Sequence, residues 1–452
     1  MSSLQAPANG ATGGADVVPD SGSPFWDESI ETLPRQELRR FQERRIADMV
    51  SRVYEMSGLV REKWQAAGVT PADITSIDDY RTLVPVMDQD DIRSYRHRRQ
   101  DPFGGLLTRP AEELTVVGTT SGTTGRPTPL PYLDQNPTRW GQARDMWMIG
   151  VRPGEHVVRP LFVFRGGHFA DGSLDFGCVP IYVDHSPLEV PSIVEAVQRF
   201  QATGLFLLSA PLINGIDEYC RSQALDPRTV FASCRSAVFG GEPLSDRTRS
   251  LVESWGVELF EMSSVGDICP TMECSEHQGM HLWEDLALLE LLDPATGELL
   301  PEDATHGEMV VTSISDPATA LVRFRTGDIA TVDRGTCRCG RTHVRVKPMG
   351  RAKDGVVVAG RHILPISVWG AVEACRDTER GLFQIVRASP TMDELNLRVG
   401  SSGPEERFPA VAAEIERRIT AELGVPCAVE VVPDERLLRL GPPHKIPRVV
   451  HA

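Results

Sequence analysis

The chain has 452 residues, 41% of them hydrophobic and 24% charged, so it can bury a large core and we expect more than one domain. Its formal net charge of −16 argues against a general affinity for nucleic acid or anionic membranes, and its apolar stretches are far shorter than the roughly 18 residues of a membrane span. Nine scattered cysteines do not fit a disulfide framework, which favours a cytoplasmic protein with reduced thiols.

The first part of the chain changes character twice. Residues 1–22 are rich in Gly, Ala, Ser and Pro with little to bury, which predicts a disordered leader. From Arg35 to Ala67, apolar side chains recur at helical spacing between charged faces, which predicts one or two amphipathic helices.

The middle of the chain alternates short apolar runs with helical stretches. The runs "ELTVVG", "GLFLLS", "SAVFGG" and "VELFEM" alternate with segments such as "PSIVEAVQRFQATG", a rhythm that predicts α/β layers with a substantial parallel sheet. After about Asp285, closely spaced strands with turn signals predict an antiparallel or β-barrel-like subdomain. A boundary near Met349–Gly355 then separates a small α+β domain, so we expect domains at 23–349 and 350–452.

A glycine-rich loop, "TTSGTTGRPT", follows the first of these strands at Thr119–Thr128. Its many backbone N–H groups and hydroxyls can face an anion, and phosphate is the expected guest. The spacing of its glycines, followed by Arg126 and Pro127, does not fit a Walker A loop. A flexible polar linker is the alternative interpretation of the loop alone.

This loop resembles the phosphate loop of the adenylate-forming enzymes. Within that superfamily the chain resembles the phenylacetate-CoA ligases from about residue 24 to its end, through motifs in that family's order: "WDESIETLPRQEL", "FGGEPLS", "ECSEHQGMHLWED", "DPATGELL", "VRFRTGD" and "CRCGRTH". The resemblance implies a large ATP- and acid-binding domain with a small mobile C-terminal domain. It also implies that ATP activates a carboxylic acid to an acyl-adenylate, with release of pyrophosphate, before transfer to coenzyme A.

The resemblance assigns ATP-binding roles to three segments. The phosphates would be cradled by Ser121, Gly122, Thr123, Thr124 and Gly125, with Arg126 supplying positive charge where the family often has Lys. Adenine would lie along Gly240, Gly241, Glu242 and Pro243 and stack on Phe260, with Ser263 facing the α-phosphate. Asp328 would bind both ribose hydroxyls, which suits a bidentate acceptor, although an isolated Thr-Gly-Asp is more often a plain turn.

Two further matches concern the C-terminal domain. The final segment "GPPHKIPRVVHA" resembles the family's Gly-x-Lys-x-x-Arg-Val, which makes Lys445 the match to the adenylation lysine. A lysine on a flexible tail is otherwise simply solvated. The stretch "GRAKDG" matches the interdomain hinge, with Lys353 at the hinge position and Arg351 before it.

The motif that begins at Phe260 departs from the family pattern. Its Mg²⁺-binding glutamate is replaced by Ser264 and its glycine by Glu261. A hydroxyl is a poorer ligand for a hard cation than a carboxylate. Either phosphates and water carry Mg²⁺, or Asp267 compensates, or adenylation is impaired.

Cysteines and histidines in two separate segments predict a metal site. We expect Cys274, His281, Cys337 and Cys339 to form a closed Cys₃His site for structural Zn²⁺. His277 and His343 are the competing imidazoles, and buried reduced thiols are the alternative.

The acid and its acceptor are less well marked. Phe162, Phe164, His168 and Phe169 could line an aryl-sized cavity, and "RHILP" at Arg361–Pro365 departs from the family's Arg-Gly-x-Asn-x-Phe-Pro. We expect a small aromatic acid and coenzyme A. The alternatives are a carrier protein or amine as acceptor, a non-carboxylic acid, or an idle nucleotide-binding protein; a homodimer is compatible with the sequence.

Overall fold

The computed structural model describes residues 22–119, 128–133, 138–161, 173–265, 269–315, 317–389, 391–440 and 446–451. Among the helices of these residues, none is both long enough and apolar enough to cross a bilayer.

Fourteen α-helices lie in this part of the chain. They are α1 (Glu28–Glu31), α2 (Arg35–Met56), α3 (Gly58–Ala66), α4 (Ile77–Leu83), α5 (Gln89–Arg99), α6 (Thr138–Met148), α7 (Ser173–Phe176), α8 (Val190–Phe200), α9 (Ala210–Ser222), α10 (Pro227–Val230), α11 (Asp246–Ser254), α12 (Pro365–Glu373), α13 (Phe408–Leu423) and α14 (Asp434–Leu438).

Twenty β-strands accompany them. They are β1 (Val116–Thr119), β2 (Pro129–Tyr132), β3 (His156–Leu161), β4 (Val179–Asp184), β5 (Gly204–Leu208), β6 (Ser236–Gly240), β7 (Glu258–Val265), β8 (Cys269–Glu273), β9 (Met280–Leu282), β10 (Ala287–Leu292), β11 (His306–Ser313), β12 (Phe324–Asp333), β13 (Arg345–Arg351), β14 (Val356–Val358), β15 (Arg361–Ile363), β16 (Phe383–Arg387), β17 (Thr391–Met392), β18 (Leu395–Ser401), β19 (Cys427–Pro433) and β20 (Val449–His451).

The predicted amphipathic segment at Arg35–Ala67 is two helices. Ser57 separates α2 from α3, and its hydroxyl accepts a hydrogen bond from the Val60 N–H at 3.3 Å, which caps α3. The same hydroxyl donates to the Gly105 carbonyl at 2.6 Å, so the break is tied to the rest of the domain.

One sheet of 11 strands, in the order β10-β11-β12-β13-β9-β8-β7-β6-β5-β3-β4, organises the larger part of the chain. Strands β3 to β7 pair in parallel, and the helices between them cover the sheet, as the α/β rhythm predicted. From β7 onward the neighbouring strands are antiparallel. The antiparallel strands predicted after Asp285 therefore continue the parallel ones in one sheet.

The chain beyond Arg351 forms two smaller sheets, β15-β14-β17 and β19-β18-β16-β20. Its apolar residues, with α12 and α13, make a core of their own that includes Val368, Phe383, Leu397 and Ile415. This mixture of helices and short strands agrees with the α+β pattern read from the sequence. The exact domain limits stay a prediction.

A buried ion pair ties helix α6 to the antiparallel strands. The Arg144 guanidinium donates to both carboxylate oxygens of Asp285, at 2.7 and 2.8 Å, and lies 5.2 Å from the centre of the Trp283 ring. The Trp283 indole N–H in turn donates to Asp145 at 2.9 Å. Burial pushes the pKa of Asp285 upward, but the adjacent Arg144 charge outweighs it and holds that pKa below its usual value.

Replacing Asp285 with asparagine should lower the free energy of unfolding at pH 7 by about 3–5 kcal/mol, because Arg144 would remain as an uncompensated buried charge. Urea unfolding followed by tryptophan fluorescence measures this change. The matched control is Glu195→Gln, which breaks a pair whose side chains are 69% and 71% exposed, and its effect should stay within about 0.5 kcal/mol.

The pH dependence gives a second readout of the same variant. Because the folded-state pKa of Asp285 is lowered, its stabilisation is complete above the unfolded carboxyl pKa of about 4 and is lost as the pH falls through the lower folded value. The difference between wild type and Asp285→Asn should therefore persist from pH 8 to pH 5. A difference that disappears between pH 8 and pH 6 would contradict this assignment.

Candidate active site

The predicted adenine segment lies at the carboxyl end of a parallel strand, the usual position of ligand sites in such sheets. Strand β6 ends at Gly240, the first residue of the segment assigned to adenine, and strand β7 carries Phe260 and Ser263. Strands β1 and β2 pair antiparallel, with Thr119 opposite Pro129, so the two ends of the predicted phosphate loop meet.

Several predicted residues lie outside the described residues. They are the loop residues Ser121, Gly122, Thr123, Thr124, Gly125 and Arg126, the adenylation lysine Lys445, the carboxylate Asp267, and the pocket residues Phe162, Phe164, His168 and Phe169. Their roles stay predictions.

Close packing explains the glycine pair of the adenine segment. A Cβ at Gly240 would lie 3.1 Å from both Leu207 Cδ1 and the Met262 carbonyl oxygen, and Gly241 has a φ of +102°. Any larger residue at Gly240 would push the segment away from β7. Glycine therefore allows this segment to approach the strand that carries Ser263.

Glu261, at the position of the family's glycine, supports the same segment. Its carboxylate accepts a hydrogen bond from the Leu244 N–H at 3.1 Å, just after Pro243. Burial, and then the nearby Glu273 carboxylate, raise the pKa of Glu261 to about 7. In the sequence Glu261 is a departure from the motif, and nothing in the local pattern indicates its contact with Leu244.

The aromatic and hydroxyl residues of β7 differ in exposure. Phe260 is 2% exposed and packs in a core cluster with Phe206 and Met272, and its ring centre lies 5.2 Å from that of His277. Ser263 is half-buried and opposes Thr271, whereas Ser264 is exposed. Because the Phe260 ring is covered in this structure, stacking on adenine stays a prediction.

The predicted ribose carboxylate stands at one end of a β-hairpin. Asp328 on β12 opposes Arg351 on β13, with 3.4 Å between Oδ1 and Nε. Gly327, at a φ of +76°, lies within β12 where its pairing with β11 shifts register, and the Asp328 N–H donates to Thr326 Oγ1 at 3.0 Å. The two side chains are 27% and 46% exposed, so a ligand can reach both.

The structure brings the four predicted metal ligands together. One sulfur or ring nitrogen from each of Cys274, His281, Cys337 and Cys339 lies within 4.8 Å of all the others. The Cys274 and Cys337 sulfurs are 3.7 Å apart, and Cys339 Sγ is 3.4 Å from His281 Nε2. Ligands at the corners of a zinc tetrahedron stand about 3.6–3.8 Å apart. The cluster therefore has the donor set and dimensions of a structural zinc site.

Hydrogen bonds around the cluster prepare it for a cation. His281 Nδ1 lies 3.2 Å from the His343 carbonyl, which turns Nε2 toward the sulfurs. A hydrogen bond from Cys274, followed by one from His281, lowers the pKa of Cys339 far below 9.0. The thiolate is the form that binds a metal.

The competing histidines are engaged elsewhere. His277 contacts Glu273 and Glu258, each at 3.1 Å. His343 accepts the Glu284 N–H at 2.9 Å through Nδ1, and its Nε2 lies 3.0 Å from the Ile30 carbonyl. Both imidazoles therefore have partners away from the sulfurs.

The cluster is at the opposite end of the β12–β13 hairpin from Asp328. Asp333 is five residue steps along β12 from Asp328, a rise of about 17 Å. It opposes Arg345, whose Nη1 is 3.7 Å from Cys337 Sγ. With four protein ligands, a bound metal would have no open position. Such a metal would stabilise the hairpin without taking part in the chemistry.

The purified protein should contain about one zinc ion per chain, because Cys₃His is a complete tetrahedral ligand set. Cys339→Ala should lose the metal and unfold at a lower temperature, whereas Cys220→Ala, a buried cysteine outside the cluster, should keep it. Elemental analysis and thermal unfolding measure both effects. A zinc-free wild type together with a Cys339→Ala variant of unchanged stability would rule out the site.

Sequence comparison places these features in a known context. The chain is 30% identical to a phenylacetate-coenzyme A ligase of Thermus thermophilus over 446 residues, which cover 90% of this chain and 95% of the relative. It is also 30% identical over 351 residues to the phenylacetate-coenzyme A ligase of Pseudomonas putida, covering 75% and 76% of the two chains. No family model matches the chain.

Solved structures show the same fold. A 2-hydroxyisobutyryl-CoA ligase in its postadenylation state has a TM-score of 0.85 and 24% identity, covering 97% of this chain and 94% of that one. The same ligase in its thioesterification state has a TM-score of 0.69 and 25% identity, with the same coverage. The ordered motifs, the sheet and the relatives lead to one conclusion: the chain belongs to the phenylacetate-coenzyme A ligase family, the AMP-forming acid–CoA ligases of the adenylate-forming superfamily.

Proposed function

We propose that this ligase activates an aromatic carboxylic acid and transfers it to coenzyme A. The similarity to phenylacetate-coenzyme A ligases, which extends over 90% of this chain, is the observation that supports an aromatic substrate. The acid pocket residues proposed from the sequence lie outside the described residues, so the identity of the acid rests on this similarity.

In the first half-reaction a carboxylate oxygen of the acid attacks the α-phosphorus of ATP. The new O–P bond forms as the bond to pyrophosphate breaks, and the acyl-adenylate remains. Negative charge accumulates on the α-phosphate and the leaving group, so cations must be positioned at both. We assign the leaving group to the loop Ser121–Gly125 with Arg126, and the bridge between carboxylate and α-phosphate to Lys445.

In the second half-reaction the thiol of coenzyme A attacks the carbonyl carbon of the acyl-adenylate. The thioester bond forms, AMP leaves, and the thiol loses its proton. Holding the adenylate in place makes this step effectively unimolecular in the acyl group. Asp328 would hold the adenosine through both steps, and its exposed position opposite Arg351 supports that role.

Magnesium would neutralise the pyrophosphate. Ser264 is exposed at the position where the family has a glutamate, and a hydroxyl is a weak partner for this cation. We therefore propose that the ATP phosphates supply most of its ligands, with Asp267 as the candidate carboxylate. Zinc, in contrast, fits the closed Cys₃His cluster as a structural ion.

A different acyl acceptor is the second candidate function. The segment Arg361–Ile363 forms strand β15, and Arg361 donates to the Leu423 carbonyl at 2.9 Å, at the end of helix α13. Its sequence departs from the family pattern at this point. This departure favours a carrier protein or an amine as the alternative to coenzyme A.

Replacing Asp328 with asparagine should reduce kcat/KM for ATP by about tenfold or more, because the ribose hydroxyls would lose a charged acceptor. Steady-state kinetics at varied ATP measures this loss. Asp303→Asn changes an exposed aspartate in the turn before β11; it is the matched control and should behave like the wild type. Equal kinetics for the two variants would exclude the ribose role.

Exchange of labelled pyrophosphate into ATP should occur with one or more aromatic acids from a panel, and coenzyme A should then yield a thioester. Lys445→Ala should lower the exchange rate by about 100-fold or more, while thioester formation from a supplied acyl-adenylate continues. Exchange without thioester would favour another acceptor. Absence of exchange with every acid tested would contradict the aromatic acid proposal.

A further inference from the structure

A buried ion pair joins the C-terminal segment to the adenine segment. Arg448, three residues after Lys445, donates from Nη2 to Glu242 Oε2 at 2.8 Å. The two side chains are only 12% and 9% exposed. A buried charge that loses its partner is costly, so the two groups strongly favour staying together.

Arg448 is firmly held on its own side of this contact. Its guanidinium carbon lies 3.9 Å from the centre of the Trp369 ring and 4.8 Å from that of Phe383, and Nη1 donates to the Gly381 carbonyl at 2.7 Å. A planar guanidinium stacked on aromatic rings keeps a defined orientation. Arg448 is therefore fixed relative to the sheet β19-β18-β16-β20 that surrounds it.

The chain between Lys445 and Arg448 is held as well. Ile446 is 6% exposed in a small apolar cluster with Leu382 and Leu437, and the Pro447 carbonyl accepts a hydrogen bond from Gln384 at 3.0 Å. Strand β20 then pairs with β16 from Val449 onward. Lys445 itself lies outside the described residues, three positions before Arg448 in the sequence.

Glu242 belongs to the segment that the proposed function assigns to adenine. It follows Gly241, and Leu244 two residues further on is bound by Glu261 of strand β7. The Glu242–Arg448 pair therefore joins the predicted adenine segment to the segment that carries the predicted adenylation lysine.

Other charged contacts lie across the same interface. Arg247 at the start of α11 is 3.2 Å from Glu379, and Arg380 contacts both Glu218 of α9 and, at 3.0 Å, Asp434. The side chains of Arg247 and Glu379 are 27% and 40% exposed, so water screens that pair more than the Glu242–Arg448 pair. The TM-score of the whole chain is 0.85 with the postadenylation structure of the 2-hydroxyisobutyryl-CoA ligase and 0.69 with its thioesterification structure, so the arrangement of this chain agrees better with the former.

We propose that Arg448 is a positioning residue for adenylation: through its pair with Glu242 it fixes the C-terminal segment against the predicted adenine segment in the first half-reaction. The pair must separate when the small domain rotates for thioester formation. This inference rests on the proposed function, and it assigns Arg448 a positioning role without contact to a substrate. A displacement of the lysine by about 1 Å would cost up to 100-fold in rate.

Arg448→Gln tests the inference through the two half-reactions. The kcat of pyrophosphate exchange should fall by about tenfold or more, with KM for ATP changed by less than about threefold, because position and not affinity is lost. Thioester formation from supplied acyl-adenylate and coenzyme A should change by less than about twofold. Arg448→Lys, which keeps the charge but not the planar fork, should recover part of the exchange rate.

Two further variants make the test specific. The double variant Arg448→Gln/Glu242→Gln should be no slower in exchange than the slower single variant, since one pair is lost in each. Arg398→Gln breaks an ion pair with Glu430 inside the small domain, at 2.7 Å, and should leave both half-reactions unchanged. If Arg448→Gln does not fold, Glu242→Gln breaks the same pair from the other side.

The inference is overturned if Arg448→Gln slows both half-reactions in parallel, raises only KM for ATP, or changes neither. Failure of the proposed function gives a different result, since the wild type itself would then show no exchange with any acid. In that case small-angle X-ray scattering with ATP present decides. A larger radius of gyration for Arg448→Gln than for the wild type supports the interdomain contact, and equal radii refute it.

Discussion

The reversal of strand direction at β7 is the constraint on which the rest of the structure depends. Strand β7 is parallel to β6 on one side and antiparallel to β8 on the other. The parallel side brings the predicted adenine segment to the carboxyl end of β6, beside Ser263. The antiparallel side continues through β9 and β13 to β12, which carries Asp328. One sheet can therefore present residues from distant parts of the sequence to one nucleotide.

Buried charges hold the elements that surround this sheet. Arg144 and Asp285 join α6 to the antiparallel strands. Arg341, two residues after Cys339, donates to Glu31 at 2.7 Å. Such pairs contribute less to net stability than apolar packing, because both charges are desolvated. They do restrict the chain to one arrangement, since each partner is costly when alone. A metal bound by the Cys₃His cluster would add a constraint at the end of the β12–β13 hairpin opposite Asp328.

The sequence predicted the features that depend on local pattern. The α/β rhythm, the helices at Arg35–Ala67 and α8, and the strand that ends at Gly240 follow from hydrophobic periodicity and turn residues. The metal ligands could be named because cysteine and histidine have few alternative roles in such numbers. The four residues span 65 positions of the sequence, from Cys274 to Cys339, yet their ligand atoms lie within 4.8 Å of one another in the structure.

Interactions between segments that are far apart in the sequence could not be predicted from local patterns. Glu261 looked like a defect in its motif, and only the fold shows that its carboxylate binds Leu244. Arg448 was part of a recognised motif at a fixed distance from Lys445, but the identity of its partner depends on how the two domains pack. The sequence favoured His281 over His343 as the metal ligand, but the hydrogen bond that engages His343 at the Ile30 carbonyl is visible only in the fold.

The Glu31–Arg341 pair has a consequence for synthesis of the chain. The two residues are 310 positions apart, and Thr342 and His343 also bind the backbone around Ile30 and Glu31. The N-terminal segment leaves the ribosome first, yet its binding surface is made by a turn that is translated much later. At about 5–20 residues per second, Glu31 waits on the order of 15–60 seconds for its partner. Large-domain folding is thus completed only after most of the polypeptide has emerged.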